Sequence, residues 1–159
     1  MEHDYQYRKQ IVLGYKETVM PLVLRYLPWF EKNGTQTATS QYRDEAISEH
    51  SMAFPVYNSM VINFVKEASR TNLMDKNYRY LYTRNRIQSH DDERRLIQQA
   101  TWQEWDILRG ILSYYVLGGM SKGMLWNEAV EEQIFCLILQ KMKEIIEYWD
   151  RPVVAGRME

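Results

Sequence analysis

The chain is poor in the residues that punctuate or staple a fold, with one cysteine, seven glycines and four prolines among 159 residues. A lone Cys136 excludes an intramolecular disulfide, a CxxC redox pair and any multi-cysteine zinc site within one chain. It sits in Ile134-Phe135-Cys136-Leu137-Ile138-Leu139, just after Glu131, Glu132 and Gln133, a setting for a buried inert thiol rather than a nucleophile. Charge of one sign is missing too: 20 Lys plus Arg face 21 Asp plus Glu, a net charge of -1 with a pI near 6.3. No global field draws the chain to DNA, an anionic membrane or an acidic substrate, so a partner must be recognised by a local patch. Long apolar runs are absent, since Val19 to Leu24 and Ile134 to Leu139 fall far short of the roughly 20 residues that span a bilayer. The opening Met1-Glu2-His3-Asp4, with Lys16 and Glu17 soon after Ile11-Val12-Leu13, does not read as a signal peptide, and the expected location is cytoplasmic.

What is present is the balance of an ordinary globular chain, 45% hydrophobic and 26% charged. A chain of this length buries roughly 68–70% of its unfolded surface, enough for one core without staples. No stretch alternates apolar and polar residues between turn glycines, and helical periods recur instead. Val12, Tyr15, Val19, Leu22 and Tyr26 define a first amphipathic helix. Pro21 should kink or restart it, and Pro28 should end it near Leu27. Residues 31–40 read as a loop, and Ser40 as the cap of a helix running to Ala53 and reset at Pro55, after which Tyr57, Val61, Phe64 and Ala68 share a face. Asn72 to Asp75 punctuates before a helix over 76–88. Ser89 with Asp92 three residues on, inside Asp91-Asp92-Glu93, marks a strong helix start. The period Trp105, Leu108, Ile111 or Leu112, and Tyr115 stops at Gly118-Gly119. A final helix should run unbroken to Trp149, on the order of 35–40 Å long.

The reading is all-α: a single-domain helical bundle of five to six helices over residues 1–150, followed by a short flexible tail at 151–159. The expected core is Val12, Tyr15, Val19, Phe64, Leu108, Ile111, Leu112, Ile134, Leu137, Met142 and Ile145.

Candidate chemistry is sparse. Ile47 lies three residues before His50 and Ile87 three before His90, so neither histidine completes the Glu-x-x-His ligand spacing of a di-metal bundle. Should their segments meet, His50, His90 and Glu49, Asp91 or Asp92 would suit a zinc, iron or nickel enzyme. The plainer reading makes His50 a surface residue and the acids near His90 a complement to the helix dipole. No metal ligand is assigned on this basis. There is no G-x-S-x-G elbow for a nucleophile. Glu128 and Glu132, one turn apart, more often form a solvated face than an acid/base pair. The run from Gly118 to Gly123, with Ser121 and Lys122, lacks the strand and spacing of a phosphate loop and reads as an interhelical turn. No catalytic residue and no cofactor follow.

Two surfaces remain. Between Lys76 and Arg86 the chain is rich in Tyr and Arg, and as a helix it aligns Lys76, Arg79, Thr83 and Arg86. Those cations can follow phosphates while Tyr80 stacks a base, the alternative being a solvated helix face. Five Trp, twelve Tyr and nine Met exceed the comfortable need of a small core. They suit a protein–protein surface, with Trp29, Phe30 and Trp102 as anchors, unless they fill gaps between kinked helices. The leading expectation is an interaction or self-associating module, a homo-oligomer or the partner of another protein. Nucleic-acid binding through 76–86 comes second, and a His/carboxylate metal enzyme third.

Overall fold

The computed structural model describes residues 2–33, 39–42, 54–122 and 124–150. Among them are eight α-helices: α1 (Glu2–Gly14), α2 (Lys16–Asn33), α3 (Ser59–Ser69), α4 (Tyr78–Arg84), α5 (His90–Gln99), α6 (Trp105–Gly118), α7 (Met124–Glu131) and α8 (Ile134–Trp149). A 3-10 turn, Trp102–Glu104, leads into α6. A short antiparallel pair, β1 (Thr39–Tyr42) and β2 (Phe54–Tyr57), matches Thr39 with Tyr57 and Tyr42 with Phe54. The all-α class stands, with more helices than the five to six expected. Among the described residues no helix is long and apolar enough to cross a membrane.

The centre is α6. Its apolar residues occupy nearly the whole circumference, and Trp105, Leu108, Ile111, Leu112, Tyr115 and Val116 are all buried, as a helix enclosed by neighbours requires. On α8 the buried set Ile134, Phe135, Ile138, Leu139, Met142, Ile145 and Ile146 makes a stripe of helical period that packs along α2. Phe30 of α2, Phe64 of α3 and Phe135 of α8 meet between them, with ring centroids 5.2 Å (Phe30–Phe64), 4.9 Å (Phe64–Phe135) and 5.8 Å (Phe30–Phe135) apart. Each such buried ring contributes about 1.5–3 kcal/mol relative to leaving it in water. Nine of the eleven expected core residues are buried; Tyr15 and Leu137 are half-buried at the edge.

Four boundaries differ from expectation, each for a local reason. The first helix breaks at Tyr15, not at Pro21, and α2 continues past Leu27 to Asn33 with Pro21 and Pro28 inside it. Both prolines occupy exposed positions, as do Glu17 and Leu24, whose carbonyls lose their i+4 donors; on an exposed helix face water can replace such bonds, which makes the prolines tolerable there. Ser40 lies in β1 and Tyr57 in β2 rather than on helices, and α3 begins instead at the Asn58 cap, whose side chain accepts from the Met60 amide at 2.8 Å. The basic segment is helical only over 78–84, because Arg86 turns into the left-handed region at φ 54°. The expected long final helix is two, parted at Gln133 (φ 64°). There Arg94 of α5 donates to the Glu132 carbonyl (3.1 Å) and carboxylate (2.8 Å), closing the C-terminus of α7 with a cation. The expected tail, 151–159, lies outside the described residues.

Two contacts of α6 place its neighbours. Arg109 donates to the carbonyls of Asn72, Leu73 and Met74, and Ser113 accepts from the Asp75 amide, so the turn before α4 is pinned to the central helix. At Gly110 an added Cβ would come within 2.6 Å of the Leu81 side chain, which would have to shift, so the glycine makes room for the close approach of α4.

Candidate functional site

Close docking of α4, together with α5 and α7, surrounds one end of α6 with polar side chains. The local start of α5 is the one its residues encode: Ser89 accepts from the Asp92 amide at 3.1 Å, and Asp92 accepts from the Gln88 amide at 2.9 Å. The Gln88 amide, then Arg95, hold the Asp92 carboxyl below its usual range. One position further, Glu93 points inward. It is 3% exposed, with Ile97 and Ala100 following it on the same buried stripe.

That buried carboxylate is supplied with donors from three helices. Tyr82 of α4 donates to Glu93 Oε2 at 2.6 Å, Tyr115 of α6 donates to Oε1 at 2.6 Å, and His90 Nδ1 lies 2.9 Å from Oε1. His90 Nε2 is in turn 3.2 Å from Glu128 Oε1 on α7, so the imidazole bridges two carboxylates. Burial, reinforced by the Glu93 charge and hydrogen bonds, raises the Tyr82 and Tyr115 phenols far above their ordinary range and keeps them donors. For His90, burial alone favours the neutral ring, but the hydrogen bond and charge of Glu93, with Glu132 and Glu128, outweigh it and raise its pKa. Tyr114 stacks on Tyr82 at 4.5 Å and meets Tyr115 edge-on at 4.9 Å. These residues, with Ile87, Gln88 and Ser89, wall a cavity of about 360 Å³.

The sequence-predicted residues fall elsewhere. Lys76, Arg79, Tyr80 and Arg86 are all exposed, Tyr80 at 66%, and Arg79 lies over the Tyr78 ring at 5.9 Å. With the helix confined to 78–84, Lys76 and Arg86 flank it instead of extending a four-residue stripe. Phe30, expected as a surface anchor, is a core residue, and its half-buried neighbour Trp29 packs edge-on against it. Trp102 is half-buried and meets Trp149 edge-on at 5.8 Å. With Tyr148, Ile145 and Glu144 they line a groove of about 570 Å³. His50 and Glu49 lie outside the described residues. Asp91 and Asp92 pair with Arg94 (2.7 Å) and Arg95 (3.2 Å), and among the described residues no group of three or more His, Cys, Asp or Glu side chains could hold a metal ion. Cys136 is half-buried, its thiol pushed up to about 11 by burial and then by Glu31, which suits an inert residue.

The Glu93 cluster is the element that the sequence pattern left unseen. Its one signal is a glutamate standing four and seven residues before Ile97 and Ala100, on a stripe that is otherwise apolar. No family model, no curated protein and no solved structure matches the chain.

Proposed function

We propose that this chain is a helical interaction module whose binding face is the exposed segment 76–86, and that its partner is single-stranded nucleic acid. One observation carries the reading. Arg8, Arg25, Arg94, Arg95 and Arg109 all close ion pairs, whereas Arg70, Lys76, Arg79, Arg84 and Arg86 are exposed and close none among the described residues. Among the described residues the unpaired arginines are thus all gathered within one stretch of chain, joined there by Lys76, and Asp75 is the only acid between Arg70 and Arg86. Tyr80, one helical turn before Arg84 and next to Arg79, offers a ring for a base while the cations meet phosphates. A nearly neutral chain that binds this way does so through the patch alone, so affinity should be salt-sensitive and modest.

Fluorescence anisotropy with a labelled oligonucleotide of about 12 bases tests it, a length within the usual site sizes. Affinity should fall with salt at about -0.7 per neutralised phosphate on log-log axes. Changing Lys76, Arg79 and Arg86 together to Gln should flatten the slope by about two. Tyr80→Ala should weaken binding and leave the slope unchanged. Absence of binding at low salt rejects the reading.

A self-associating module is the second reading, favoured by the Trp102, Tyr148 and Trp149 groove, with Tyr148 54% exposed. Its occupant would be a second copy of the chain. Sedimentation equilibrium returning only a 19.2 kDa species at tens of micromolar rejects it.

A further inference from the structure

We infer that the cavity between α4, α5, α6 and α7 is a binding site for a small organic cation bearing an ammonium group, with Glu128 as its counter-ion and Tyr114 as its wall and second acceptor. The inference stands apart from the oligonucleotide face, since none of Lys76, Arg79, Tyr80, Arg84 and Arg86 lines this cavity. The inner end is committed to the fold: Glu93 already takes two phenols and an imidazole, three of the roughly four acceptor positions a carboxylate has. The outer end is not. Glu128 uses one oxygen on His90, and its side chain is 44% exposed; its other oxygen has no partner among the described residues. The Tyr114 hydroxyl makes no hydrogen bond among them either, although the ring is fixed against Tyr82 and Tyr115.

Charge selects the guest. Two carboxylates about one imidazole leave an excess of negative charge whether the ring is neutral or charged, and the guanidinium that reaches the end of α7, Arg94, is closed on Asp91 and Glu132. An anion is repelled, whereas an ammonium gains the free Glu128 oxygen, the Tyr114 hydroxyl and an aromatic ring. A volume of about 360 Å³ lies at the small end of ligand cavities and suits a guest of one ring.

Benzylamine, benzyl alcohol and benzoate are nearly isosteric probes that differ in charge, and titration of each into the full chain near neutral pH can be followed by the His90 Cε1–H resonance. Benzylamine should give a saturable shift with a Kd on the order of 1 mM, the range of a fragment-sized ligand. The alcohol and the acid should bind at least tenfold more weakly. Glu128→Gln should weaken benzylamine at least fivefold, and Tyr114→Phe about threefold. Equal binding of amine and alcohol, tighter binding of benzoate, an unchanged Kd in Glu128→Gln, or no saturable shift from any probe at tens of millimolar each overturns the assignment. The comparison of the three probes needs no variant, so it decides the matter even if a substitution disturbs folding.

Discussion

Helices α4 and α5 are separated by five residues and both are rich in charge, yet they treat that charge in opposite ways. On α5, Asp91, Asp92, Glu93, Arg94 and Arg95 all have partners, and Glu93 is buried beneath three donors. On and around α4, Lys76, Arg79, Arg84 and Arg86 have no ion pair among the described residues. A buried charge persists only when its neighbours satisfy it, so the α5 cluster is part of what holds four helices together. Exposed, unpaired cations add little to stability and stay free for a ligand at no conformational cost. The contrast separates a region whose charges hold the fold from one whose charges are available to a partner.

The most direct way to break this contrast is to remove Glu93. Glu93→Ala deprives two phenols and an imidazole of their shared acceptor and leaves a void, so urea denaturation should show a loss of about 3–5 kcal/mol. A loss below about 1 kcal/mol would mean that α5 is no more structural than α4. Next in size is Tyr115→Phe, which keeps the ring and deletes one donor to a buried carboxylate. It should cost about 1.5–3 kcal/mol, the scale of a hydrogen bond to a charged group.

The legible part of this architecture is the part written in local residues. Ser89 with Asp92 announces α5, Gly118-Gly119 ends α6, and the helical period of α6 and α8 picks out most of the core. The illegible part depends on contacts made across the fold. Nothing in Glu131-Glu132-Gln133 breaks a helix; Arg94, 38 residues away, supplies the cap that makes the break tolerable. Pro21 and Pro28 are tolerated inside α2 because they and the residues one turn back, Glu17 and Leu24, lie on its exposed face, which depends on the face that α2 turns to α8. Glu93 reads locally as one of three acids complementing a helix dipole. Only its register with Ile97 hints at burial, and its donors, Tyr82 and Tyr115, stand on other helices.

The pH dependence of stability sharpens the comparison with a smaller effect. His90 faces Glu93 on its own helix, Glu128 and Glu132 from α7 and its C-terminal end, and the Tyr115 hydroxyl of α6. Because its folded pKa is raised above the unfolded value of about 6.5, its contribution is fully present below that pH and is lost as pH rises through the folded value. The wild-type advantage over His90→Gln in urea midpoint should therefore be largest near pH 5.5 and shrink toward pH 8.5, values of about one to two units on either side of the histidine range. His90→Gln leaves the chain's other two histidines in place, so their titration cancels in the difference. An advantage constant over that range would mean that His90 acts through packing and not through its charge.

The smallest expected change is on α4, and its smallness is what makes it informative. Changing Lys76, Arg79, Arg84 and Arg86 together to Gln removes four exposed cations that close no ion pair among the described residues, and no residue of α4 is buried. Two opposing effects remain. Arg84 in the last helical turn loses a favourable interaction with the helix dipole, of about 0.3–1 kcal/mol at low salt. Against it, the four cations lie within eleven residues of one another and repel, and that repulsion is relieved. Near cancellation is expected, leaving the urea midpoint within the equivalent of about 0.5 kcal/mol of wild type. Raising the salt concentration should shrink even that difference, because both effects are screened over about 10 Å at 0.1 M. A loss above 1 kcal/mol that survives high salt would place these cations among the groups that hold the fold, and the division between α4 and α5 would fail. With stability unchanged, loss of oligonucleotide binding in the same variant could not be ascribed to unfolding.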